Sequence, residues 1–326
     1  MKVAVLKSPG NIEFEERDLR EPGSNEVTIK VLYAGIAGTD LRIYNGILKP
    51  NLPLVLGQEF VGEVKEVGSG VEDFSEGDFV VVEPVIRCGK CEYCLTGRYN
   101  LCDELKVLGV TTDGGFAEEI VLPDYTLYKI PEGVDVREAV LVNPASVAFY
   151  AVKKAGVSFG DRVAVLGGGP IGLSAIQFAA GNGAEVVLVE PVEKRRVFAE
   201  KYFDVKAVAP EDAAELSGKM DAVIEASGNP SALNTAVEIV KKGGKISIAG
   251  AFGEECRLNF TPVVRKDLVI NGVWLYPNIF GKVIDALERK KISLKPHITH
   301  EFRFDDIEEA FKAALSDEAV KVLLKF

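Results

Sequence analysis

Four cysteines fall in the spacing CxxCxxCx7C at Cys88, Cys91, Cys94 and Cys102. Four thiolates match the tetrahedral preference of zinc and leave no open coordination position, so the ion they imply is structural. Redox-active CxxC pairs normally open a helix in a thioredoxin-like unit, and no such unit surrounds these. Zinc would stabilise a loop that otherwise lacks a core; isolated structural zinc modules gain about 10 kcal/mol or more from their metal. The fifth cysteine, Cys256, stands alone and reads as a small buried hydrophobe. An odd total with four thiols clustered argues against an extracellular disulfide framework and for a reducing compartment.

A second constellation is "GGGPIG", in which Gly167, Gly169 and Gly172 give the spacing GxGxxG around Pro170 and Ile171. It follows the apolar run "DRVAVL" and opens a helical pattern, the context in which each glycine has a reason. The first permits the tight turn, the second lets a pyrophosphate approach the backbone, and the third lets helix and strand pack closely. The helix start offers free N–H groups and a positive dipole to the phosphates. Glu190, eighteen residues past Gly172, ends the next predicted strand, where a carboxylate accepts both ribose hydroxyls of an adenosine. A carboxylate there repels the 2'-phosphate of NADP, so NAD is the expected cofactor and NADP the lesser one. Arg195 is placed to lie over the adenine face or to remain an exposed helix charge.

The surrounding elements must position these groups. Residues before about Val136 read as short strands broken by Gly, Pro, Asn and Asp: "VTIKVLYAGI", "FVGEVKEVG", "DFVVVE", "GFAEEIVL". Many short strands predict a barrel-like or sandwich domain. Beyond "REAVLVNPASVAFYAVKKAG", which has helical spacing, strands and helices alternate through "EVVLVEP", "MDAVIEAS" and "KISIAGAF", the signature of βαβ units and a parallel sheet. A helix near "IFGKVIDALERKK", a strand, the amphipathic "DDIEEAFKAALSD" and a last strand "KVLLKF" complete the chain.

At 326 residues with 47% hydrophobic content, the chain can fill two cores without disulfides. No apolar run approaches the roughly 18 residues of a membrane span, and no signal-peptide pattern precedes the strand-like "KVAVLK", so a cytoplasmic protein without membrane partners is expected. A net charge of -11, spread rather than blocked, repels phosphate backbones and excludes nucleic acid as an expected partner. Few Met and Gln among 27% charged residues lean toward a heat-adapted source. Only two histidines exist, His297 and His300, which removes most His-based mechanisms unless these fold back into a site.

The order of these features, with "GIAGTDLRIYNG", "LVLGQEFVGEV", "VGSGVEDFSEGDFVVV", "GVTTDGGFAEEIVLP" and "VAVLGGGPIGLSAIQFA", resembles the zinc-containing alcohol dehydrogenases of the medium-chain dehydrogenase/reductase superfamily, nearest the sorbitol and threonine dehydrogenase branch. The likeness covers nearly the whole chain. It implies an α/β fold: a GroES-like β-rich catalytic domain at 1–146 and 288–326 with a zinc lobe at 86–104, and a Rossmann doubly wound parallel sheet at 147–287. It also implies a nicotinamide cofactor, a small-molecule substrate, and a homo-dimer or homo-tetramer.

The resemblance breaks where the family usually holds a second, catalytic zinc. Ala37 stands where the family has Cys in "GICGTD", Gln58 where it has His in "GHE", and Asn143 where it usually has Glu, Asp or Cys. The position commonly held by a proton-relaying His carries Arg42. Alanine cannot bind metal, neutral amides are poor zinc ligands, and Glu59 alone cannot define a site. The expectation is one structural zinc and no catalytic one.

Hydride transfer builds negative charge on oxygen, which a zinc ion would absorb, so something must replace it. Thr39, Arg42, Gln58, Glu59 and Asn143 are the candidate catalytic residues. Arg42 and the amides can donate hydrogen bonds to an oxyanion, and Thr39 can pass a proton. Arg42 has the alternatives of pairing with Asp40, Glu59 or a cofactor phosphate, and Asp40 that of capping its helix. Such a lining suits a polyol or sugar-like alcohol or carbonyl. Two other readings use the same nucleotide loop: an enone or quinone-type reductase, and a sensor or complex subunit that binds nucleotide without turnover.

Overall fold

The computed structural model describes every residue except Glu254. The change of sequence texture past Val136 corresponds to a division into two compact units, Met1–Asn143 with Phe280–Phe326, and Pro144–Ile279. The sequence reading drew these limits at 146/147 and 287/288. The difference at the second limit is one helix, Phe280–Glu288, which continues the helix-and-strand texture in sequence but sets the Phe280 ring 5.0 Å from Tyr128 of the first unit.

The first unit is β-rich because its apolar residues alternate or run in short stretches between turn residues. Its main sheet runs in space through Leu127–Lys129, Phe79–Val82, Glu59–Val67, Glu26–Gly35, Lys321–Lys325 and Ile298–Arg303, and Glu119–Pro123 also pairs with Glu26–Gly35. The chain's last strand therefore lies directly beside one of its earliest, with Leu323 opposite Gly35. On the other flank of that same strand Gly35 faces Glu59. Val27, Ile29, Phe60, Phe116, Phe311 and Leu324 are among the residues of the core beneath the sheet. The last two strands are parallel and joined through the helix Ile307–Ala314, which lays Ile307, Ala310 and Phe311 inward at helical spacing.

The second unit is a six-stranded parallel sheet in the spatial order Lys206–Val208, Glu185–Val189, Arg162–Leu166, Met220–Glu225, Val240–Ile248 and Val269–Gly272. Sequence order 3-2-1-4-5-6 is that of the doubly wound dinucleotide fold, with the reversal between Arg162–Leu166 and Met220–Glu225. The inner strands Arg162–Leu166 and Glu185–Val189 are apolar after their first residue, as strands covered on both faces must be, whereas Val240–Ile248 carries three lysines. The run "LVINGVWLY" is a strand only over Val269–Gly272, and Leu275 beyond it has a left-handed φ of 52°.

Candidate active site

The four cysteines converge as their spacing requires. The sulfurs of Cys88, Cys91, Cys94 and Cys102 all lie within 4.8 Å of one another, the only such cluster of ligand residues among the described residues. Zinc–sulfur bonds of about 2.3 Å place tetrahedral sulfurs about 3.8 Å apart; Cys88 and Cys94 stand at 4.0 Å. Backbone N–H groups of Cys88 and Cys91 point at the sulfurs of Cys102 and Cys88, at 3.3 and 3.4 Å, as donors to thiolate. The lobe has little apolar core of its own: Leu95 is 75% exposed. Arg87 instead lies over the rings of Tyr99 and Tyr125 at 4.4 and 5.0 Å. The cage fits one tetrahedrally held zinc ion and would leave it no open position.

In the second unit the glycine loop leaves the strand Arg162–Leu166 and opens the helix Pro170–Gly181. Gly167 has φ 103°, a left-handed value that a side chain would strain. A Cβ on Gly172 would stand 1.9 Å from the Gly167 carbonyl oxygen, so that turn and helix touch only because it is absent. At Gly169 the space is open, which leaves room for a pyrophosphate at the helix N-terminus. Pro170 takes the first helical position, where its missing N–H is no loss.

Glu190 is buried and directed back at the loop. Its carboxylate accepts from the N–H of Gly168 at 2.6 Å and of Val192 at 2.9 Å, so two backbone donors fix its orientation at the strand end. Arg196, which sequence reasoning passed over in favour of its neighbour Arg195, donates to the Glu190 and Pro191 carbonyls and braces that strand end. Glu225 was also missed. It ends the strand at the topological reversal, is buried, and accepts through Oε1 from the Ser227 N–H, the Ser227 hydroxyl and the Gly228 N–H. Burial raises its pKa despite those donors. Ser227 is what a side chain on Gly167 would strike, so Glu225 shapes the wall of the glycine loop.

The remaining candidates gather in the first unit around the helix Gly38–Tyr44. Asp40 is fully buried; one oxygen accepts from the Ala37 N–H at 2.8 Å, closing the first turn, and the other from the Gly57 N–H at 3.2 Å. The helix is thereby tied to the turn that carries Gln58. Burial pushes the Asp40 carboxyl up to about 7, against those two donors and helped by the charge of Glu59. Asn143 donates to the Gln58 carbonyl at 3.4 Å, so the two amide residues adjoin. Thr39 and Arg42, three residues apart, share one half-buried face of the helix.

Glu59 does not stand alone, as the sequence suggested. Lys321, the first residue of the last long strand, donates to it at 2.6 Å and to the Ile36 carbonyl at 3.0 Å, with the two side chains 5% and 2% exposed. The pair reaches across the strand between them at Gly35, where a Cβ would stand 3.0 Å from the Glu59 carboxylate and 3.3 Å from the Lys321 stem. Burial raises the Glu59 pKa while Lys321 opposes the shift. The same ammonium helps hold the buried His297 neutral: burial first, then Lys321, pushes its pKa down to about 3. Neither Asp40 nor Glu59 pairs with Arg42.

This donor set does not suit a second zinc. Ala37 offers no ligand atom, Gln58 and Asn143 offer neutral amides, the Glu59 carboxylate is already bonded to an ammonium ion, and that of Asp40 is taken up by two backbone N–H groups.

A doubly wound sheet with a glycine loop and an acidic strand end, on a chain that also carries a thiolate lobe and a polar cluster, defines a nicotinamide-dependent oxidoreductase. Residues 23–132 match the alcohol dehydrogenase GroES-like domain, and residues 170–289 match the zinc-binding dehydrogenase domain. Sorbitol dehydrogenase of Halalkalibacterium halodurans is 34% identical over 99% of this chain and 98% of its own length. Among solved structures, an alcohol dehydrogenase of Escherichia coli complexed with NADH has a TM-score of 0.94 at 34% identity, covering 100% of this chain and 99% of that one. A zinc-binding dehydrogenase of Sinorhizobium meliloti bound to NADP has a TM-score of 0.93 at 30% identity, with the same coverage. The chain belongs to the zinc-containing alcohol dehydrogenase family of medium-chain dehydrogenases and is an NAD(P)-dependent dehydrogenase. No helix among the described residues is long and apolar enough to cross a membrane.

Proposed function

We propose that this enzyme transfers hydride between NAD and a polyol or sugar-like alcohol with no catalytic zinc, and holds one structural zinc in its thiolate lobe. The observation that carries this reading is the combination of Ala37, Gln58 and Asn143 with a Glu59 already bonded to Lys321. Similarity to a sorbitol dehydrogenase supports the substrate class. The buried Glu190 carboxylate supports NAD over NADP, since it would face a 2'-phosphate with like charge.

In this mechanism the carbinol carbon gives its hydride to the nicotinamide while the carbinol oxygen passes its proton to the half-buried Thr39 hydroxyl, which releases its own to solvent. In reverse, the carbonyl oxygen gains charge as the carbon accepts hydride. Amide N–H groups of Gln58 and Asn143, with the positive charge of Arg42, stabilise that oxygen. Glu59 is assigned a supporting role, as the partner of Lys321, in place of the direct contact the sequence suggested. A homo-oligomer is the assembly we favour: the sheet of the second unit ends in the edge strand Val269–Gly272, with Val264 and Trp274 exposed at 77% and 56%. The five free cysteines, four of them in the lobe, support a cytoplasmic setting, where thiolates stay reduced.

Elemental analysis of the purified protein, with NADH and NADPH titration and turnover of a polar carbonyl panel in chelator-treated buffer, tests the reading in one preparation. One zinc per chain, tighter NADH binding and chelator-resistant turnover are expected. Two zinc ions per chain with chelator-sensitive turnover would overturn it, and NADH binding without any turnover would leave only the nucleotide-binding sensor.

A further inference from the structure

We propose that Arg42 anchors a carboxylate on the substrate, so that the alcohol this enzyme oxidises is an acidic polyol rather than a neutral one. The inference rests on the reading of the Arg42 cluster as the substrate site. Its observation is separate: Nη1 of Arg42 is buried and has no hydrogen-bond partner. Arg42 makes no side-chain hydrogen bond and no ion pair among the described residues.

The carboxylates that could have served it are committed elsewhere. Both oxygens of Asp40 accept from backbone N–H groups, and Glu59 is held by Lys321. A guanidinium cannot lose its proton to escape the cost of burial, as an amine can. A buried charged donor left unpaired costs more than a neutral one, so the fold carries this cost unless an anion meets it. A neutral hydroxyl would satisfy the N–H but not the charge.

The planar fork of Arg42 selects among anions as well. It matches the two coplanar oxygens of a carboxylate with two parallel hydrogen bonds. Thr39, on the same helical face one turn earlier, is the hydroxyl proposed to take the carbinol proton. A substrate gripped by Arg42 through its acid group would therefore be oriented relative to the relay, which turns binding of the remote group into alignment of the reacting one.

The test is NAD-linked oxidation of matched pairs, sorbitol against gluconate and galactitol against galactonate, with sorbitol 6-phosphate as a third arm, at constant ionic strength. The acid of each pair should exceed its neutral partner in kcat/KM by about tenfold or more, as expected for a charge-assisted hydrogen-bonded pair. Arg42→Met should bring that ratio toward one, and Arg42→Lys should retain part of it; thermal melts establish that both variants fold. Calorimetric titration of gluconate and galactonate onto the NADH-loaded protein gives a readout that needs no turnover, with binding weakened about tenfold to a hundredfold in Arg42→Met. Preference for the neutral polyols or for the phosphate ester overturns the assignment, as does an Arg42→Met variant that weakens every ligand by one common factor. Arg42-dependent binding of the acids by a protein that turns nothing over, or that holds two zinc ions, sustains the anchor and refutes metal-free turnover instead.

Discussion

Replacing Lys321 by Met should cost more stability than any surface salt bridge could, and removing Glu59 as well should restore most of it. At 2.6 Å the ammonium and carboxylate attract by about 6 kcal/mol at an effective dielectric of about 20. Both side chains are nearly sealed from water, so desolvation of several kcal/mol per ion cancels most of that attraction. The pair is therefore worth little against an apolar replacement, but an unpaired survivor is expensive. Lys321→Met, which keeps the stem volume, should lower unfolding free energy by about 3–5 kcal/mol, and the double variant Glu59→Gln with Lys321→Met should return to within about 1–2 kcal/mol of the parent. Without Lys321 the Glu59 pKa rises further, so the native state of the single variant binds a proton that the unfolded chain releases. Its stability is then highest at low pH and is lost as pH rises, and the deficit grows between pH 5 and pH 8. Urea unfolding of the three proteins should be followed by amide exchange in Glu26–Gly35, because the only tryptophan, Trp274, lies in the other unit. A single-variant deficit below about 1 kcal/mol at pH 8, or a double variant no more stable than the single, would refute the reasoning.

Asp40, pushed up to about 7 from 3.8, contributes stability that is full below its unfolded pKa and is lost as pH rises to about 7. His297, pushed down to about 3 from 6.5, contributes stability that is full above 6.5 and is lost as pH falls. Between pH 5 and 6.5, Asp40→Asn should therefore make the slope of stability against pH more positive by about 1.4 kcal/mol per pH unit, and His297→Gln more negative by as much; in urea titrations, a slope that stays put or moves the other way in either variant would contradict that residue's assignment. Restoring ligands through Ala37→Cys, Gln58→His and Asn143→Glu together should raise bound zinc from one ion per chain to two by elemental analysis, since thiolate, imidazole and carboxylate then converge. Glu190→Ala should weaken NADH binding by about tenfold to a hundredfold, and NADPH binding less, as measured by fluorescence titration; equal losses for both cofactors would exclude Glu190 from the ribose.

Which parts of this site were legible follows from how far apart in sequence their pieces lie. The thiolate lobe and the glycine loop are each set by one short segment, whose residue types have few other uses at that spacing. Glu190 was within reach because the βαβ unit fixes the distance from the glycine loop to the next strand end. Lys321 was not, because it lies 262 residues from Glu59. Alternation gives no help: Lys321 and Lys325 share a face of one strand by parity, yet the first is buried and the second exposed. What separates them is that Gly35 and Glu59 adjoin only one end of the strand, a fact of sheet order alone. Arg42 was legible as a departure from the family's usual residue, but not that Asp40 and Glu59 would be engaged elsewhere.

The charges of the first-unit cluster point one way once those partners are assigned. Cysteine and acidic ligands in the family's second metal site carry negative charge that a divalent ion offsets. Here all three positions are neutral, so no negative charge remains for such an ion to offset except that of Glu59, which Lys321 already neutralises. Asp40, with its carboxyl pushed up to about 7, is only partly ionised at neutral pH. Arg42 is then left as a cation without a full counter-charge, in surroundings where burial weakens the screening by water. A cluster so balanced favours negative charge arriving from outside, whether resident on the substrate or developing on its oxygen, and exchanging the metal ligands for neutral side chains is what leaves that positive charge uncovered.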